Sequence, residues 1–129
     1  MKINHIGYAV KDMDAAIQIF QKMGYEVVKK GIDEIRHVEV AVAEMGGGGK
    51  VELLSPMNNE KSPVDNYLSK IGSTPYHICY EVDDMERCVQ ELQDIGFTLI
   101  GRPDVSLPLE GTVCFMYSEI IGLCELINY

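Results

Sequence analysis

His5-Ile6-Gly7-Tyr8-Ala9-Val10 and His77-Ile78-Cys79-Tyr80-Glu81-Val82 are one stretch written twice, 72 positions apart. The correspondence continues without a gap: Asp12-Met13 falls on Asp84-Met85, Gln18 on Gln90, Gln21 on Gln93, Gly24-Tyr25 on Gly96-Phe97 and Val27-Val28 on Leu99-Ile100. With one residue inserted, Val51-Glu52-Leu53-Leu54 falls on Cys124-Glu125-Leu126-Ile127. Self-similarity held over this length marks a duplicated structural unit.

Outward from that stretch, each copy opens on a short run of β-branched and aromatic residues closed by an aspartate, which suits a strand. A helix follows. Asp12 and Asp84 are N-caps, Asp14 and Glu86 sit in the first turn at the positive end of the helix dipole, and Gly24 and Gly96 stand where a C-cap glycine belongs. Ala16, Ile17, Phe20 and Met23 make an inward stripe, mirrored by Cys88, Val89, Leu92 and Ile95. Three strands are then expected over 25–30, 37–45 and 50–55, the last two joined by a hairpin at 46–49. That glycine run precedes Lys50, yet a phosphate loop needs Ser or Thr after the lysine and then a helix, whereas here Val51 follows and a strand begins.

The expected architecture is therefore α+β, with two tandem βαβββ units over about 1–55 and about 74–129. Between them, over about 56–73, Ser62-Pro63 followed by Val64, Tyr67, Leu68, Ile71 and then Gly72 predicts a short capped helix. A chain of 129 residues suits a single folded domain built from both units.

Apolar residues make up 47% of the chain, which excludes disorder as its general state. A net charge of -9 argues against nucleic acid or an anionic membrane as partner, since both need clustered Lys and Arg. Only Lys29 and Lys30 are adjacent, and they read as a solvated strand end. Cys79, Cys88, Cys114 and Cys124 show no paired spacing and lie in apolar runs, so they read as buried free thiols. With no secretory signal and no membrane-spanning run, a cytosolic location is expected.

In each copy a histidine begins the first strand and a glutamate interrupts the apolar last strand: His5 with Glu52, and His77 with Glu125. If the units are related by a pseudo-twofold axis, residues near it meet their counterparts, and two residue types supply four ligands. A bare buried carboxylate is costly, and a metal ion is one remedy. Imidazole and carboxylate without thiolate suit one divalent ion per site, Ni, Co, Zn, Mn or Fe, and disfavour Fe–S or Cu(I) chemistry. Four protein ligands leave two positions on a six-coordinate ion, enough to chelate two oxygens of a substrate. His37 has no counterpart in the second copy and reads as a strand residue without function.

At these residues the chain resembles the vicinal oxygen chelate superfamily, which includes glyoxalase I, methylmalonyl-CoA epimerase, extradiol dioxygenases and bleomycin-binding proteins. The likeness rests on H-I-G-Y-A-V-K-D, V-E-L-L-S-P, Y-H-I-C-Y-E-V-D-D and L-C-E-L-I, and it spans nearly the whole chain. It implies His5, Glu52, His77 and Glu125 as metal ligands in a cleft of the β-sheet, with Glu125 also moving a proton next to a carbonyl. It places first a glyoxalase I-type lyase or isomerase acting on a hemithioacetal. Second comes a methylmalonyl-CoA epimerase acting on a thioester, whose inter-repeat segment resembles 62–72 and for which Glu39 would be an extra base. Phe115-Met116-Tyr117-Ser118-Glu119, standing where the epimerases have F-x-H-P-K, sets the epimerase behind glyoxalase I. A metal-free drug-binding protein of the bleomycin-resistance type is third, disfavoured by the complete ligand set. A homodimer is expected in this superfamily.

Overall fold

Asp12 and Asp84 start the two long helices as expected: each has extended backbone, and its carboxylate accepts a hydrogen bond from the amide three residues on, Ala15 at 3.0 Å and Arg87 at 3.1 Å. The structure is a computed structural model that describes residues 1–57, 60–106 and 108–129. Its elements are β1 (Lys2–Ala9), α1 (Met13–Lys22), β2 (Tyr25–Asp33), β3 (Val38–Met45), β4 (Gly49–Pro56), α2 (Asp65–Lys70), β5 (Thr74–Glu81), α3 (Met85–Asp94), β6 (Thr98–Ser106), β7 (Gly111–Ser118) and β8 (Gly122–Asn128). The order is βαβββ, a short helix, then βαβββ, an α+β fold.

By contacts the chain divides into a first unit, residues 5–76, and a second unit, residues 77–129 together with 1–4. In the first unit the strands run β2-β3-β4-β1, with β1 parallel to β4 and the other neighbours antiparallel. In the second the order is β6-β7-β8-β5 with the same senses.

Register decides what each face carries, because alternate residues point to opposite sides. In the first unit Ala41, Ala43, Val51 and Leu53 join Val10, Met13, Ile17 and Phe20 in a core under α1. Tyr8 and Tyr25 seal it with edge-on rings at 5.1 and 5.2 Å from Phe20. The second unit repeats this with Val82, Cys88, Cys114, Met116, Cys124 and Leu126 under α3. Leu53 is fully buried. Leu53→Ala is expected to cost about 3 kcal/mol, transfer and cavity terms together, measured by denaturant unfolding; a loss below about 1 kcal/mol would show that this core does not hold α1 to the sheet.

Several local expectations are corrected. Met23 and Ile95 are exposed (58% and 72%) because they cap helices that end one residue earlier, and Met13 takes the inward place in α1. β2 runs on to Asp33. His37 is not a strand residue: it holds φ +58°, and its Nδ1 donates to the Lys61 carbonyl at 3.1 Å. The inter-repeat helix starts at Asp65 rather than on a Ser62 cap. Ser62 instead donates its backbone N–H (2.8 Å) and hydroxyl (2.6 Å) to the Asp65 carboxylate, holding that carboxyl below its usual range. The glycine run is a hairpin turn, with Gly47 and Gly48 both at positive φ, where a side chain would be strained.

Candidate metal centre

The parallel pairing of β1 with β4 sets Gly7 opposite Glu52, so His5, Gly7 and Ala9 alternate onto the glutamate's side of the sheet, away from α1. His5 is 1% exposed and Glu52 4%, and Nε2 lies 3.4 Å from Oε1. In the second unit Cys79 lies opposite Glu125, and His77 and Glu125 occupy the same places on the side away from α3. They are 4% and 3% exposed, with Nε2 3.3 Å from Oε1. Each unit thus carries one buried imidazole–carboxylate pair on the sheet face its helix leaves bare. Burial of this kind is costly for a carboxylate unless cations or hydrogen bonds answer it. Each of the four residues offers one ligand atom of a type that binds divalent ions.

The two pairs differ in their neighbours. Phe115 on β7 stands opposite Glu125, and its ring meets the His77 ring edge-on at 5.4 Å. Val42 holds the matching place opposite Glu52. Phe115 therefore packs edge-on against the His77 imidazole. In the sequence Phe115 stands out only as part of a departure from the epimerase pattern. Carrying the offset between Glu52 and Glu125 back to Val42 identifies it.

Glu39 is corrected. It faces Ser55 across the hairpin, an odd number of residues from Val42, the partner of Glu52. It accordingly lies on the α1 side of the sheet with Ala41 and Ala43, opposite Glu52. There it lines an open cleft of about 590 Å³ with Lys11, Asp12, Asp14, Ser55 and Glu60. From that side it does not reach the His5–Glu52 pair, and it is withdrawn as a base.

None of the four cysteines is in a disulfide, and all four are buried. Burial pushes the Cys114 and Cys124 thiols up to about 11, so both stay protonated at neutral pH as packing groups rather than ligands or nucleophiles. Among the described residues no helix is long and apolar enough to cross a membrane.

Residues 4–115 match the family described as Glyoxalase/Bleomycin resistance protein/Dioxygenase superfamily. The chain is 28% identical over 125 residues to the ethylmalonyl-CoA/methylmalonyl-CoA epimerase of Cereibacter sphaeroides, covering 95% of this chain and 92% of that protein. It is 30% identical over 92 residues to the mitochondrial methylmalonyl-CoA epimerase of Dictyostelium discoideum, covering 70% of this chain and 55% of that one, so it spans about half of the longer relative. Among solved structures it superposes on Streptomyces coelicolor methylmalonyl-CoA epimerase in complex with 2-nitronate-propionyl-CoA with a TM-score of 0.87 and 26% identity, covering 99% and 94% of the two chains.

Proposed function

The chain belongs to the glyoxalase/bleomycin resistance protein/dioxygenase superfamily, and from that premise we propose that it is a metal-dependent isomerase, an epimerase of methylmalonyl-CoA or a close carboxyacyl thioester. The two similar epimerases turn the order set out from the sequence: the relatives favour the epimerase over glyoxalase I. The observation that carries the reading is the repeated buried pair, His5–Glu52 and His77–Glu125.

Two imidazoles and two carboxylates fit one divalent ion of the Ni, Co, Zn, Mn or Fe group, held by His5, Glu52, His77 and Glu125. Such an ion, when bound, supplies a positive centre that lowers the cost of charge developing on the thioester oxygen. The residues supply the rest. Glu125 accepts the proton next to the thioester carbonyl, a transfer favoured by its burial and its separation from bulk water. Phe115, opposite Glu125, keeps the His77 ring from swinging away. The deprotonated carbon is planar, so inversion requires a proton to return on the other side. With Glu39 withdrawn, Glu52 in the matching place of the first unit takes that second role: it starts as the carboxylic acid and gives its proton to the carbon as Glu125 keeps the one it removed, and the two exchange states for the reverse direction.

The test is to incubate the metal-reconstituted protein with one epimer of methylmalonyl-CoA in deuterated water and follow both deuterium at the α-carbon and conversion to the other epimer. Both are expected, with no turnover of the hemithioacetal of methylglyoxal and glutathione. Turnover of the hemithioacetal without α-carbon exchange in the thioester would restore the glyoxalase I reading.

A further inference from the structure

On the first unit's ligand-bearing face, two lysines flank the glutamate. Lys50 lies two residues before Glu52 on β4, hence on the same side of the sheet, roughly 7 Å along the strand. Lys29 stands opposite Val42, which itself stands opposite Glu52, so it lies on that face too, two strand spacings or roughly 10 Å across. It arrives there through a β-bulge: the β2–β3 register shifts between Val27 and Lys29, leaving Val28 as the extra residue. Val27 opposite Ala43 and Lys30 opposite Ala41 face the other side. Bulges re-aim side chains near functional sites, and this one turns a cation toward the face of His5 and Glu52.

The second unit has no such cations in the corresponding places. Ile100 stands opposite Phe115 where Lys29 stands opposite Val42, and Leu123 precedes Glu125 where Lys50 precedes Glu52. Duplication thus keeps the His–Glu pairs alike while setting lysines, among the carboxylates of Glu26, Glu44 and Glu52, on the first unit's face where the second unit has Ile100 and Leu123. The Lys50 ammonium is not locked by its neighbour: the Glu44 carboxylate lies 3.9 Å away and is half exposed, a pair that adds little in water.

We propose that Lys50, with Lys29, is the anion subsite of this face and receives an anionic oxygen group of the substrate, either the acyl carboxylate or a phosphate of the thioester carrier. This rests on the thioester reading above and makes Lys50 a specificity-determining residue. Charge-assisted hydrogen bonds from lysine to carboxylate or phosphate are the physical basis.

The experiment measures dissociation constants by calorimetry for malonyl-CoA, acetyl-CoA, malonyl-pantetheine and acetyl-pantetheine. The proteins are the metal-reconstituted wild type, Lys50→Met, Lys29→Met and Lys50→Arg, with metal content checked in each. Lys50→Met is expected to weaken malonyl-CoA about tenfold and leave acetyl-pantetheine unchanged, with a smaller loss for Lys29→Met and recovery in Lys50→Arg. A loss on both malonyl ligands assigns the carboxylate; a loss on both CoA ligands assigns the phosphate. An equal loss on all four ligands, or none on any, overturns the subsite. Lysine-dependent binding without α-proton exchange in the wild type would leave the subsite standing and sink the epimerase reading, whereas exchange without lysine dependence would do the reverse.

Discussion

Glu125→Gln is expected to keep the fold and the bound ion while losing about a thousandfold in the rate of α-proton exchange, the middle of the range that a positioned base contributes. The amide preserves volume and an oxygen donor on β8, between the buried neighbours Cys124 and Leu126, but it cannot take a proton from carbon. Metal analysis and deuterium exchange in the same sample separate the two roles. If exchange survives with the metal in place, Glu125 is a ligand only, and the base must be sought on the first unit. Glu52→Gln is the natural companion: under the two-carboxylate mechanism it blocks inversion while still permitting exchange from the epimer whose proton faces Glu125.

Most of the framework was legible because duplication prints each signal twice. Asp12 and Asp84 as caps, and a glutamate interrupting an apolar strand in both copies, are local patterns whose physical causes act within a few residues. Face assignment across strands was not legible in the same way. Whether Glu39 shares a side with Glu52 depends on the parity of the hairpin between them, and a run of four glycines does not reveal which of them turn and which begin β4. Gly49 belongs to the strand, and that single residue sends Glu39 to the helix side. Lys29 stood out only as half of a Lys29–Lys30 doublet read as a solvated strand end, since the bulge at Val28 that separates the two onto opposite faces has no signature in an alternating strand. Helix ends were misjudged where a stripe was extended by one period: Met23 and Ile95 continue the apolar pattern after the helices have stopped. The relatives reverse the order of the two substrate readings because the likeness to the superfamily rests on the residues that build the frame, and the frame is shared by enzymes of different chemistry.

Metal removal should destabilise the chain, and the size of the effect tests whether the His–Glu pairs form a binding site at all. An ion that binds only the folded state at a thousand times its dissociation constant adds about 4 kcal/mol, a rise in Tm on the order of 10 °C for a chain of this size. The wild type should show that rise on adding Ni, Co or Zn after stripping, and His5→Ala and His77→Ala should each abolish it, as followed by calorimetry. The stripped protein carries a further signature. Without an ion, each buried carboxylate has lost its strongest counter-charge while remaining within 3.3 or 3.4 Å of an imidazole. Glu125→Gln removes one such group without opening a cavity, so it should raise the Tm of the stripped protein even as it lowers the gain on adding metal. Opposite signs in the two states are what a buried ligand produces. A Tm unaffected by metal in the wild type, with Glu125→Gln destabilising throughout, would instead make Glu125 a structural partner of His77 and return the reading to a metal-free binding protein.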